Sequence, residues 1–206
     1  WQDPQRGMLS PCIFIHTLEN TRQIHKLDIQ VIRLICRDLR VCIDRGRPVV
    51  PVSVNLSRLD FLLCDIFSVV EATLAEYGLT RDLLHIEVTE SLLAGEEIVQ
   101  QEIARFKAAG YQVWMDDFGT GYSSLNTLKD CAFDVLKLDM HFVTNLTERS
   151  QEIIRYTVAM AKCIGIETLA EGVETEEQLQ ILSEMGCEKV QGYFYGRPQA
   201  LFSAFE

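Results

Sequence analysis

Six short apolar stretches of this chain each end in one polar residue of a kind that metals or proton transfers use: Asn55, Glu87, Asp116, Lys137, Glu171 and Gln191. Asn55, Glu87 and Asp116 offer hard oxygen ligands suited to Mg²⁺ or Mn²⁺. Clustered carboxylates repel one another and raise each other's pKa unless a cation compensates. Lys137 can orient or help deprotonate a water held there, and Glu171 can act as its base. Asp116 and Asp117 are adjacent, so a regular strand would turn them to opposite faces. The strand Tyr111 to Met115 instead breaks into Asp116-Asp117-Phe118-Gly119-Thr120-Gly121, and the two glycines let the backbone aim both carboxylates at one pocket. No two of His16, His25, His85 and His141 show metal-ligand spacing, which argues against zinc.

The elements that must position these residues alternate between helical and strand patterns. Strands are expected at Val49 to Leu56, His85 to Thr89, Tyr111 to Met115, Val135 to Leu138, Ile166 to Ala170 and Lys189 to Gln191. Helices are expected from Asp28 to Arg45, with Ile29, Ile32, Leu39 and Ile43 inward, and from Ile66 to Glu76. Others follow from Glu96 to Ala109, closed by Gly110, and from Ser123 to Leu128. Gln151 to Ile164 should bury Ile154, Thr157, Val158 and Ala161, and Thr175-Glu176-Glu177-Gln178 reads as a capping box opening a helix to Met185. Functional groups ending successive parallel strands, with helices between, are how a barrel or open parallel sheet builds a site. Six such units, without a low-complexity linker, predict a single α/β domain over residues 1–206. Its class is a TIM-like (β/α)8 barrel with the first one or two strands outside this chain, because an open barrel would leave costly edges.

The chain has 206 residues and a formal net charge of −11, which argues against DNA, since nucleic-acid binding relies on basic surfaces. Seven cysteines, odd in number, without a C-x-x-C and mostly within apolar segments, predict reduced, buried thiols rather than a disulfide framework or metal site. No signal peptide and no spanning apolar run are evident, so the expected location is cytoplasmic, with tethering of a longer parent still open. Asp117-Phe118-Gly119 echoes a kinase metal-binding triplet, but no glycine-rich phosphate loop or His-Arg-Asp catalytic loop accompanies it.

Ser53-Val54-Asn55-Leu56-Ser57, Glu87-Val88-Thr89-Glu90, Asp116-Asp117-Phe118-Gly119-Thr120-Gly121-Tyr122-Ser123-Ser124, Lys137-Leu138-Asp139, Ala170-Glu171-Gly172-Val173-Glu174-Thr175 and Gln191-Gly192-Tyr193 stand in order along the chain. In that order and spacing the chain resembles the EAL domains, bacterial phosphodiesterases that hydrolyse cyclic di-GMP to linear pGpG. The resemblance implies a barrel of EAL type with two ions of Mg²⁺ or Mn²⁺, inhibition by Ca²⁺, a homodimer, and fusion to a GGDEF or sensor domain. It implies Asn55, Glu87 and Asp116 as ligands of the first metal, with Asp116 and Asp117 holding the second. Lys137 and Glu171 would position and activate the attacking water. Glu90 would anchor the loop containing Phe118, Gly119, Thr120 and Gly121, while Asp139, Glu174 and Gln191 would support the site or contact substrate. One departure stands out: the signature glutamate, a first-metal ligand in the family, falls upstream of Trp1 and is expected in the parent sequence. Two other classes stay open: an inactive EAL domain serving as cyclic di-GMP receptor or interaction module, and an unrelated carboxylate–lysine barrel metalloenzyme.

Overall fold

The computed structural model describes residues 1–93, 97–119 and 124–199. Thr120 and Gly121 therefore lie outside the described residues. By internal contacts the chain divides into two compact units, Trp1–Leu84 and His85–Glu206.

The first unit opens with a small antiparallel ribbon, β1 (Gln2–Asp3) and β2 (Gly7–Met8), then α1 (Pro11–Asn20). Pro11 suits a helix start because its missing N–H would have no helical partner there. α2 (Ile24–Asp44) begins four residues before the expected start. Its buried stripe is Ile24, Ile32, Cys36, Leu39 and Cys42, so two cysteines take core places while Ile29 and Ile43 are only half-buried. All seven cysteines are free; Cys36, Cys42 and Cys131 are buried, whereas Cys12 and Cys163 are exposed. β3 (Val52–Asn55) carries Asn55 at its end and leads into α3 (Arg58–Leu63) and α4 (Ile66–Tyr77). Ile66, Val70 and Leu74 of α4, spaced four apart, are buried, and α2 packs against both α3 and α4.

The second unit is a parallel sheet of β4 (Leu84–Thr89), β5 (Val113–Phe118), β6 (Val135–Leu138), β7 (Glu167–Ala170) and β8 (Lys189–Val190). Each strand pairs with the next in sequence: Ile86 opposes Val113, Met115 opposes Leu136, Leu136 opposes Thr168 and Leu169 opposes Lys189. This unreversed order is that of a barrel wall; a doubly wound sheet would reverse direction midway. The crossovers hold α5 (Glu97–Ala108), α6 (Ser124–Asp130), α7 (Met140–Thr144), α8 (Glu148–Cys163) and α9 (Glu176–Glu184). β6 is buried along its whole length. Helix faces cover the sheet with Val99, Ile103 and Phe106 from α5, and Ile154, Val158 and Ala161 from α8. Thr157 is not in that core; its hydroxyl donates to the Ile153 carbonyl at 2.8 Å.

β8 is locked to the loop after β7 by a close backbone crossing. Val173 N donates to Gln191 O at 3.1 Å, and Phe194 N to Val173 O at 3.0 Å. A Cβ on Gly192 would lie 2.1 Å from the Val173 carbonyl oxygen, so only glycine fits. Gly192→Ala should cost more than about 3 kcal/mol, because backbone rather than a pliable side chain would have to move. Urea unfolding checks this; a loss below about 1 kcal/mol would contradict the crossing.

Candidate active site

Lys137 sits on fully buried β6, and its side chain is 5% exposed. An ammonium in such a place is costly unless paired. Its Nζ lies 3.1 Å from Glu87 Oε2 on β4, 2.9 Å from Asp116 Oδ1 on β5 and 2.8 Å from Glu171 Oε1 just beyond β7. The parallel register makes this convergence possible, since it sets the ends of neighbouring strands side by side. Burial by itself would lower the lysine pKa, but Glu87, Glu171 and Asp116 outweigh it and hold the ammonium firmly protonated. The Glu171 pKa is also raised, which for a carboxyl disfavours the charged form. Burial raises its pKa, and the Lys137 contact offsets only part of that rise.

Asp116 and Asp117 fall within β5, which runs three residues past the expected end at Met115. The strand is not regular there: its register with β6 shifts between Met115 and Phe118, and Asp117 adopts φ +56°. This left-handed residue within an irregular strand breaks the usual alternation of faces. The Asp117 pKa is raised by burial first and then by the negative charges of Asp116 and Asp139, which places the three carboxylates in one electrostatic neighbourhood.

Glu90 follows β4 and is buried, with its Oε2 accepting the Gly119 N–H at 3.2 Å. Gly119 has φ +95°, and a Cβ there would meet the Phe142 ring at 2.7 Å. Phe118 is buried beside it. Asp139 caps α7, accepting the His141 N–H at 2.8 Å and pairing with His141 Nδ1 at 2.5 Å. Glu174 presents an exposed carboxylate while its N–H donates to Gln178 Oε1 at 2.7 Å. Gln191 follows β8, and its backbone N–H donates to the Ala170 carbonyl, next to Glu171. Asn55 ends β3 in the first unit with its side chain exposed.

The second unit thus brings together Glu87, Asp116, Lys137 and Glu171, with Asp117 and Asp139 alongside. Two further residues were not singled out from sequence. His141 pairs with Asp139, and its only signal was its place at the helix start after Lys137-Leu138-Asp139. Phe142 packs over the Gly119 turn, which sequence spacing does not reveal.

Among the described residues no three His, Cys, Asp or Glu side chains converge on a common metal position; the carboxylates converge on the Lys137 ammonium instead. Glu87, Asp116, Asp117 and Glu171 outnumber that single positive charge, and every one is a hard oxygen donor. Surplus negative charge and oxygen ligands fit Mg²⁺ or Mn²⁺ and not a thiolate-seeking metal. Lys137→Met removes the counter-charge of a buried group and should cost about 3–5 kcal/mol in chelator, with partial recovery on adding Mg²⁺. Urea unfolding with and without the ion measures both; a loss under ~1 kcal/mol would show that the ammonium is not the charge these carboxylates depend on.

The family profile described as EAL domain matches residues 1–198. Cyclic di-GMP phosphodiesterase NbdA of Pseudomonas aeruginosa is 37% identical over 204 residues, covering 98% of this chain and 26% of that protein. Cyclic di-GMP phosphodiesterase PdeR of Escherichia coli is 34% identical, with 96% of this chain and 30% of that protein covered. This chain therefore spans about a quarter to a third of the length of these curated relatives. Among solved structures, a complex of the PaMucR phosphodiesterase with c-di-GMP aligns with a TM-score of 0.91 and 33% identity over 99% of this chain and 84% of that one. The EAL enzyme Bd1971, bound to cAMP and cyclic di-GMP, aligns at 0.92 with 28% identity over 99% of this chain and 57% of that one. Strand-end carboxylates gathered on one buried lysine, in a chain matched almost throughout, lead to one assignment: the chain belongs to the EAL domain family, with that family's TIM-like barrel fold.

Proposed function

We propose that the chain is a single EAL-type phosphodiesterase domain, acting in the bacterial cytoplasm, that hydrolyses one phosphodiester of cyclic di-GMP to give linear pGpG. The observation that carries this reading is the trio of carboxylates around Lys137, namely Glu87, Asp116 and Glu171. Glu171 acts as the base. A carboxylate whose proton affinity burial has raised is better able to take a proton from water, and Lys137 fixes its orientation. Water then attacks phosphorus and the P–O bond to the 3′ oxygen breaks; Glu171 takes the proton lost by the water, and the departing 3′ oxygen takes one from solvent to become the free hydroxyl. Asn55, Glu87 and Asp116 would hold one divalent ion, and Asp116 with Asp117 a second. Bound there, such ions supply charge stabilisation to the attacking and leaving oxygens. Divalent-metal dependence is general among EAL phosphodiesterases, which supports this assignment.

Glu90 sets the Gly119 turn and thereby the end of β5 that carries both aspartates. Asp139, Glu174 and Gln191 support the site or meet the nucleotide. A homodimer would use the exposed apolar patch of Leu125, Ile153 and Tyr156. Fusion to a GGDEF or sensor domain is consistent with the much greater length of the curated relatives.

Glu171→Ala should abolish pGpG formation while cyclic di-GMP still binds, as read by nucleotide chromatography and calorimetry. Equal loss of binding and turnover would remove Glu171 from the role of base. Asp116→Asn should also abolish turnover, since one residue serves both ions. If the unaltered domain binds cyclic di-GMP without forming pGpG, it is a receptor instead. Excess Ca²⁺ should inhibit, because its looser, longer coordination spoils the octahedral geometry that Mg²⁺ imposes; unchanged rates in Ca²⁺ would contradict the ion assignment.

A further inference from the structure

The first unit holds a buried and a half-buried acidic side chain, Asp60 and Asp28, for which the proposed hydrolysis has no use. Asp60, third residue of α3, is 0% exposed. Its Oδ2 accepts two hydrogen bonds from Ser57, 2.6 Å from the backbone nitrogen and 2.8 Å from the hydroxyl. Its Oδ1 is equally buried and meets no amide, ammonium or hydroxyl donor. Asp28 of α2 faces it, the two carboxyl groups within hydrogen-bonding reach of each other. Two ionised carboxylates cannot hydrogen-bond to each other, so one of them must bring a proton.

The surroundings reinforce that requirement. Glu19 of α1 adds negative charge at Asp28, and Cys64, beyond α3, feels both carboxylates. His25 of α2 is the favourable charge near Asp60, and Lys26 shares with Asp28 the wall of a cleft of ≈ 810 Å³. β3 has no ionisable residue, and Glu71 of α4 is engaged by Arg81. The cleft, lined by Phe14, Leu18, Leu27, Val31 and Val54, gives Asp28 a route for proton exchange while keeping its setting mainly apolar.

We propose that Asp28 and Asp60 hold one proton between them, that this proton fastens Asp60 to the Ser57 turn, and that its loss in alkali loosens the segment presenting Asn55. Asp60 is thus a positioning residue, acting through Ser57, two positions beyond Asn55. The functional half of this inference rests on the phosphodiesterase reading; the shared proton does not.

Burial first, and then the charge and hydrogen bond of Asp60, push the Asp28 carboxyl from 3.8 to about 8. The unfolded chain releases this proton near the ordinary value, whereas the folded chain keeps it up to about pH 8. Stability tied to the pair is therefore complete in acid, falls as pH rises past the ordinary carboxylate range, and is exhausted above about pH 8.

The test compares the unaltered domain with Asp28→Asn, whose amide donates to Asp60 Oδ1 without ever ionising. Across neutral pH the folded-to-unfolded ratio of the unaltered protein should fall by up to about tenfold per pH unit beyond the change seen in the variant. With Mg²⁺ present, the variant's cyclic di-GMP turnover relative to the unaltered domain should rise several-fold from pH 7 to pH 9. Carboxyl carbon NMR of the unaltered domain gives an independent readout: one aspartate resonance should titrate near pH 8, well above the ordinary aspartate range. If every aspartate titrates in the ordinary range, or both proteins share one stability profile, the shared proton is overturned. A constant turnover ratio alongside the expected titration overturns the link to Asn55. Titration without any turnover leaves the pair supported and overturns the phosphodiesterase reading alone.

Discussion

The second unit is organised around a buried ammonium that three strands' worth of carboxylates must share. Lys137 lies on the most enclosed strand of the sheet, where a positive charge without partners would be expelled or neutralised. Glu87, Asp116 and Glu171 in turn crowd their negative charges together, and the ammonium among them offsets that repulsion. Each side of the arrangement therefore makes the other tenable. The same dependence accounts for the parallel order: Lys137 can be reached from both sides only if β4 and β5 lie on one flank and β7 on the other. A sheet that shuffled this order would leave at least one charge buried alone.

Around that centre the backbone departs from regular geometry in places where regular geometry would misdirect a side chain. The register shift and the left-handed Asp117 interrupt β5 where two aspartates follow one another. A non-glycine residue in that conformation is strained, by roughly 1 kcal/mol or more. The Glu90 bond to Gly119 and the Phe142 ring packed on the same turn hold the strand end in this shape. At the far edge, Gly192 lets β8 press against Val173, which keeps the segment after Glu171 from splaying. These contacts determine where the carboxylates and the lysine stand.

The first unit repeats the theme with different means. Asn55 owes its place to a short strand followed at once by a helix start, where Ser57 and Asp60 close on each other. Similar closures set α7 through Asp139 and α9 through Thr175 and Gln178. Chemistry-bearing residues in this chain tend to sit just before or within such caps. A cap consumes backbone donors that would otherwise be exposed at the site, and it leaves little freedom in the residues on either side.

The alternation of strand and helix, the parallel class and the candidate residues were all readable from residue order. Burial on both faces writes a continuous apolar run into each inner strand, and a polar residue ending such a run is conspicuous. Cores of helices were legible only in outline: within the apolar stripe of α2, Cys36 and Cys42 are buried while Ile29 and Ile43 are half-buried, because neighbouring elements, not periodicity, decide which residues in a wide stripe are covered. α1, α3 and α7 escaped notice: α3 and α7 are a turn or two long, too short to show a period, and α1 buries none of its residues and so has no covered apolar stripe. What only the tertiary structure decided was the set of pairings: that Lys137 meets three carboxylates at once, that Glu90 reaches Gly119, and that Asp28 faces Asp60. Such partners lie tens of residues apart along the chain, and their distances depend on strand register, which no local pattern encodes.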